Sequence, residues 1–227
     1  MLDVILFAVF PYVALALAVG GGLYRYFTDR FSYTSQSSQF LESRRLFWGS
    51  TPFHYAIIAI LLAHLLALLL PVFWGNLMSS ESRLIVLEST GMALATTALV
   101  GLLLLIYRRL TNRRAWKLTT VLDWVTLGLL LGQVVLGLWT ALFFRWGSQW
   151  YLTMAVPWLG SLLLLDPQIQ YVTPLPLVTK LHFLGGLILT AIFPFTRLVH
   201  MVTYPVTYLW RPYQVVIWNR RAPRRAE

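Results

Sequence analysis

Five long apolar runs constrain this chain more than any other feature: Val4 to Tyr24, Phe53 to Phe73, Gly91 to Tyr107, Leu122 to Phe144 and Leu177 to Met201. Each approaches or exceeds the roughly 20 residues that a helix needs to cross the hydrocarbon core of a bilayer. A backbone in lipid must find its hydrogen-bond partners inside its own segment or in a closed barrel. The alternation of a barrel strand is absent from these runs. The expected fold is an all-α membrane protein with five transmembrane helices, at about 4–24, 53–73, 91–107, 122–144 and 177–201, forming one integral-membrane domain over residues 1–227. Composition agrees, since 58% apolar and 11% charged residues leave too little polar surface to cover a soluble globule.

The first run reads as a retained helix rather than a cleaved leader. It opens with Asp3 instead of a basic segment, and Gly20-Gly21-Gly22 runs at once into Arg25 and Arg30. Those glycines suit close helix packing.

Basic residues fall on alternate sides of the runs. Arg25, Arg30, Arg44 and Arg45 separate the first two, Arg108, Arg109, Arg113, Arg114 and Lys117 separate the third and fourth, and Arg211, Arg220, Arg221, Arg224 and Arg225 form the tail. The other connections hold only Arg83, Arg145 and Lys180, with Glu81, Glu88 and Asp166 beside them. The positive-inside rule then predicts an outward amino terminus and a cytoplasmic carboxyl terminus. The net charge of +10 is explained by this topology, and no nucleic-acid partner is expected. The polar stretch from Arg25 to Ser50 reads as an interfacial linker with an amphipathic helix around Gln39 to Phe47.

The chain has no cysteine, which removes disulfides, thiolate-held iron–sulfur clusters and covalent c-type heme attachment. Metal or heme chemistry must then rest on four histidines, His54 and His64 in the second run and His182 and His200 in the fifth. Ten residues of helix put His54 and His64 about 15 Å apart, and eighteen put His182 and His200 about 27 Å apart on one face. The two helices run in opposite directions, so depth matching pairs His54 with His200 near the cytoplasm and His64 with His182 toward the outside. Two bis-histidine heme sites about 20 Å apart would relay electrons across the bilayer. Ligands so far apart cannot converge on one zinc or copper ion. A histidine proton relay or simple interfacial anchoring remain the rival readings.

Other residues suit a macrocycle. Gly185 and Gly186 follow His182 by three and four positions, on its face, and leave room for a flat ring or for close helix packing. Arg197 precedes His200 by three positions and is a candidate propionate contact, or a positive-inside anchor. Pro194 should kink the fifth helix and free the Thr190 carbonyl.

Several strings resemble one family across almost the full chain: Phe10-Pro11-Tyr12, Arg25-Tyr26, Ser37-Ser38-Gln39, Phe53-His54 with His64 ten on, and Arg108-Arg109-Leu110. The most specific is Phe193-Pro194-Phe195-Thr196-Arg197-Leu198-Val199-His200, followed by Pro205-Val206 and Tyr213-Gln214. The chain is similar to the gamma subunit of membrane-bound respiratory nitrate reductase, a diheme cytochrome b. That resemblance implies two noncovalent b hemes on His54/His200 and His64/His182, in a multi-pass protein of a bacterial or archaeal cell membrane. It implies oxidation of membrane quinol, menaquinol or ubiquinol, near the outer heme, with protons released outside. Electrons would pass inward to an iron–sulfur beta subunit and a molybdenum-cofactor alpha subunit on the cytoplasmic side. In the family a basic residue, usually lysine, lies in the loop between the second and third helices and approaches the quinone carbonyl. Arg83 is the only cation there and is the quinol-site candidate near His64, with Glu81 and Glu88 as candidate proton acceptors. A diheme subunit of a related molybdenum oxidoreductase or nitrite-oxidising complex, and a non-redox transporter or structural subunit, remain as alternatives.

Overall fold

The structure, a computed structural model, describes residues 1–29 and 44–203. Arg30, Ser37-Ser38-Gln39, Pro205-Val206, Tyr213-Gln214 and the tail arginines lie outside the described residues, as does the expected interfacial helix up to residue 43. Five helices are long and apolar enough to cross a membrane: Leu2–Thr28, Leu46–Leu69, Glu81–Thr111, Val121–Phe143 and Leu177–Phe195. They carry many exposed large apolar side chains, among them Leu17, Ile58, Leu62, Val100 and Val135. Such surfaces suit lipid rather than water.

The second spanning helix is continuous from Arg44 to Leu69, so the stretch before Pro52 is helical and not a linker. Pro71 ends it, because the residue before a proline avoids the helical region; Leu70 sits at φ −127° and ψ 58°. A short helix, Pro71–Leu77, follows. The third spanning helix begins at Glu81, ten residues before the apolar run. Its first turns are amphipathic: Leu84 packs with Ala67, Trp74 and Met78, while Glu88 bonds to Ser148. At 31 residues the helix is about 46 Å long and outreaches the hydrocarbon core.

At the arginine-rich end two side chains start the next elements. The Asn112 side chain accepts from the Arg114 and Ala115 amides and starts Arg113–Lys117. Thr120 and Asp123 then form a reciprocal capping box that starts the fourth spanning helix.

A further helical stretch, residues 147–163, lies at the opposite end and was not expected from the sequence. Trp158 carries it against the first and fifth helices. Its indole N–H donates to the Phe7 carbonyl at 2.9 Å, and its ring stacks on Phe183 at 5.3 Å. Phe7 lies within a π-turn, Ile5–Val9, whose wider pitch leaves helical carbonyls available to such donors. Lys180 and Asp3, 2.8 Å apart, join the same two helices.

The helix pairs approach closely where side chains are absent. A Cβ on Gly101 would stand 2.8 Å from the Gly49 carbonyl oxygen and from the Phe53 nitrogen, so the second and third helices cross backbone to backbone there. The central cluster around this crossing contains Phe53, Ala56, Ala98, Leu102 and Leu105. A Cβ on Gly21 would lie 3.1 Å from Pro194 Cγ, so the first helix seats the proline of the fifth. Close packing was expected of the glycine triplet and is present at this position.

The fifth helix departs from a continuous 177–201 span. Its α-helical part ends at Ile192, and Phe193–Phe195 form a 3₁₀ turn around Pro194. Thr196 is extended, at φ −101° and ψ 175°; its hydroxyl donates to the Phe193 carbonyl and accepts from the Leu198 amide. Arg197–Val199 make a second 3₁₀ turn before His200.

Candidate functional site

Backbone carbonyls orient three of the four imidazoles. His54 Nδ1 lies 2.7 Å from the Ser50 carbonyl, with Ser50 Oγ at 3.1 Å. His64 Nδ1 lies 2.8 Å from the Ile60 carbonyl, and His200 Nδ1 lies 2.7 Å from that of Arg197. A carbonyl only accepts, so each Nδ1 carries the proton and each Nε2 presents a lone pair. This second contact is the one that metal-ligating histidines usually make.

His54 and His200 meet. Their ring centroids are 6.0 Å apart with planes at 62°. Two imidazoles sharing one ion at about 2 Å per nitrogen have centroids about 6 Å apart, so this spacing suits a common metal. The break at Pro194–Thr196 means that residue counting along an ideal helix does not place His200; the Thr196 turn does.

His182 lies deeper in the bundle. Its Nδ1 is buried and is without a hydrogen-bond partner. His182 packs on the fourth spanning helix at Gly137, where a Cβ would come within 3.1 Å of its Cε1. His64 and His182 lie close enough for their charges to interact. Tyr151 flanks His64: the rings are edge-on at 5.2 Å, and the phenol donates to the His64 carbonyl at 3.1 Å. Burial raises the Tyr151 phenol above its ordinary value, so it remains a donor at neutral pH.

The glycines after His182 serve the fourth helix. A Cβ on Gly185 would overlap the Gln133 amide, and one on Gly186 would be 3.9 Å from Gln133 Oε1. Gln133 and Gly137 are one turn apart, as are His182 and Gly185/Gly186. The two helices thus interlock, with His182 over Gly137 and Gln133 in the notch at Gly185. Neither Gln133 nor Gly137 stood out in the sequence, because their importance depends on a neighbouring helix.

Arg197 bonds to Asp123 Oδ1 at 2.9 Å and to the Leu118 carbonyl at 3.2 Å, joining the turn before His200 to the capped start of the fourth helix. The buried Arg108 and its neighbour Arg109 line the same small recess. Arg83 is engaged elsewhere. Its guanidinium donates to the Leu77 and Asn76 carbonyls and to Ser79 Oγ, closing the end of helix Pro71–Leu77. Glu81 is in the first turn of the third helix. Among the described residues, no three His, Asp or Glu side chains gather into a metal-holding group.

Five helices long and apolar enough to cross a membrane, with His54 of the second and His200 of the fifth brought together, define a polytopic membrane protein. The chain belongs to the nitrate reductase gamma subunit family, whose profile matches residues 3–219. It is 34% identical to the nitrate reductase gamma chain of Bacillus subtilis, over 96% of this chain and 98% of that one. It is 31% identical to the respiratory nitrate reductase 1 gamma chain of Escherichia coli, over 95% and 97% of the two chains. It is also 36% identical to the nitrate reductase-like protein NarX of Mycobacterium tuberculosis, over 97% of this chain and 34% of that protein.

Proposed function

We propose that the chain is the quinol-oxidising membrane subunit of a respiratory nitrate reductase, with two noncovalent b hemes held by His54/His200 and His64/His182. The observation that carries this reading is the approach of His54 and His200, 6.0 Å between ring centroids, with both Nδ1 atoms on backbone carbonyls. A pair of imidazoles supplies two ligands, and no third protein ligand stands near them among the described residues. Heme would complete such a set. The orphaned Nδ1 of buried His182 is a second polar atom fitting a ligand role.

Bound heme would supply one-electron iron chemistry, which a chain without cysteine or flavin motifs lacks. The protein's own part is to hold ligands and charges. Ser50, Ile60 and Arg197 fix imidazole tautomers through their carbonyls. Gly137 admits the His182 ring, and Tyr151 packs edge-on against His64. With His54, His200, His64 and His182 all committed to holding heme, nitrate would find no ligand position on this chain, and its reduction would belong to a molybdenum-cofactor alpha subunit. The arginine-rich end, with Arg108, Arg109 and Arg197, is the cytoplasmic side, where an iron–sulfur beta subunit receives electrons. The end carrying Tyr151 and His64 faces outward and releases protons.

Reduced-minus-oxidised spectra of the purified complex test the assignment. Wild type should show two b-type hemes per gamma subunit, and His54→Ala and His182→Ala should each lose one. A wild-type spectrum without b-type bands would sink the proposal.

A further inference from the structure

His54 and His64 stand within the helix Arg44–Leu69, and His182 within Leu177–Ile192. His200 instead follows two 3₁₀ turns and the extended Thr196. Its ring plane is therefore not set by the spanning helix it comes from, and neighbouring elements must hold the segment from Pro194 to His200. Two of them do so with charged side chains.

The first spanning helix takes hold at Pro194. Gly21 leaves room for the proline ring, whose Cγ lies 3.1 Å from where a Cβ would stand. Arg25 donates from Nη1 to the Pro194 carbonyl. Gly21 and Arg25 are four residues apart, so one helix face grips both the ring and the carbonyl. A break in a helix leaves carbonyls without ladder partners, and a charged donor is a strong substitute.

The fourth spanning helix takes hold at Arg197. Asp123 Oδ1 lies 2.9 Å from Arg197 Nε, while Asp123 Oδ2 accepts from the Thr120 amide at 2.9 Å. One carboxylate thus caps its own helix with one oxygen and anchors the neighbouring segment with the other. The Arg197 side chain also donates to the Leu118 carbonyl at 3.2 Å, and its backbone carbonyl lies 2.7 Å from His200 Nδ1. Asp123 is therefore linked to His200 through a single residue. Its side chain is only 10% exposed, and a carboxylate so enclosed is costly without a partner, which keeps the link closed.

We infer that Asp123 and Arg25 are positioning residues that set the plane of the His200 imidazole against that of His54. The inference rests on the two-heme reading above and concerns the His54/His200 end of the bundle alone. Arg25 acts through Pro194, and Asp123 acts through Arg197. Turning an axial imidazole changes how its π orbital meets the iron d orbitals. The angle between the two rings, 62° here, is therefore read by the EPR signal of low-spin ferric iron and by its midpoint potential.

The test is a potentiometric EPR titration of the intact complex in membranes. The low-spin signal that disappears in His54→Ala identifies the His54/His200 site. Asp123→Asn keeps an oxygen for the Thr120 amide but loses the charge that holds Arg197. It should shift the largest g value and the midpoint of that signal, or abolish it, and leave the other signal at its wild-type position. Asp123→Glu should restore it. Arg25→Met should disturb the same signal, and Arg25→Lys, which keeps a donor, should recover part of the change. Thr120→Ala weakens the helix cap without touching the Arg197 link; it should lower the Tm and leave both signals in place. Wild-type signals in Asp123→Asn or in Arg25→Met overturn the role of that residue. Equal changes in both signals, or the same shift in Thr120→Ala, overturn the positioning role as a whole. A wild-type complex with no dithionite-reducible b heme would instead defeat the two-heme reading itself.

Discussion

In the second spanning helix the carbonyls of Ser50 and Ile60 each take the Nδ1 proton of the histidine four residues on, which points Nε2 away from the helix axis. An i−4 carbonyl is available wherever a helix continues, so this orientation needs no dedicated partner. His182 has no such bond and depends on shape. On the proposed two-heme reading, Gly137→Leu should therefore disturb the His64/His182 site alone, because any side chain there must displace the His182 ring by way of Cε1. The expected result is a shift or loss of one of two b-type spectral components, with about 1–3 kcal/mol of overpacking strain. Tyr151 gives a pH-dependent prediction. Its phenol is raised by burial, so its contribution to stability is full below the ordinary value of 10.0 and is lost as pH rises through the higher folded-state value. Tyr151→Phe should flatten the fall of thermal stability above about pH 10, measured in detergent.

At the scale of elements, the stretch 147–163 ends in a strained but complete cap. The Asp166 amide donates to the Ser161 carbonyl and the Leu165 amide to that of Leu162, a Schellman pair. Leu165 holds the left-handed position at φ 60°, where glycine is favoured. Leu165→Gly should raise stability by about 1 kcal/mol, read as a higher Tm of the detergent-solubilised protein. Thr120→Ala should lower stability by about 1 kcal/mol through loss of the capping box. The long apolar helices were legible in the sequence because crossing hydrocarbon demands only length and hydropathy. The stretch 147–163 was not, since Gln149, Thr153 and Pro157 interrupt its apolar pattern and its stability comes from Trp158 bonding to another helix. Pro194 announced a disturbance in the fifth helix. The direction of the turn depended on the Thr196 hydroxyl closing two backbone bonds, which proline spacing does not reveal. Among the site residues, the histidines could be paired by depth, whereas Gln133, Gly137 and Tyr151 acquire meaning only through neighbours on other helices.

For the whole molecule, the two ends differ in chemistry. One gathers Arg108, Arg109, Arg197 and the Asp123 that binds Arg197; the other carries Glu88, Tyr151 and the helix 147–163. The absence of native cysteine permits a direct test of orientation. In whole cells, a membrane-impermeant thiol reagent should label Ser79→Cys and leave Lys117→Cys unlabelled until the membrane is opened; the reverse pattern would invert the proposed topology. The interrupted fifth helix bears on how such a molecule tolerates change. In an unbroken helix, deleting one residue between His182 and His200 would swing the second ring by about 100°. Here the extended Thr196 separates two rigid pieces, so changes in length near the turn can be absorbed in its backbone angles. Each imidazole can thus be adjusted by substitutions in its own segment, and the two ends of the proposed electron path can diverge in evolution without being rebuilt together.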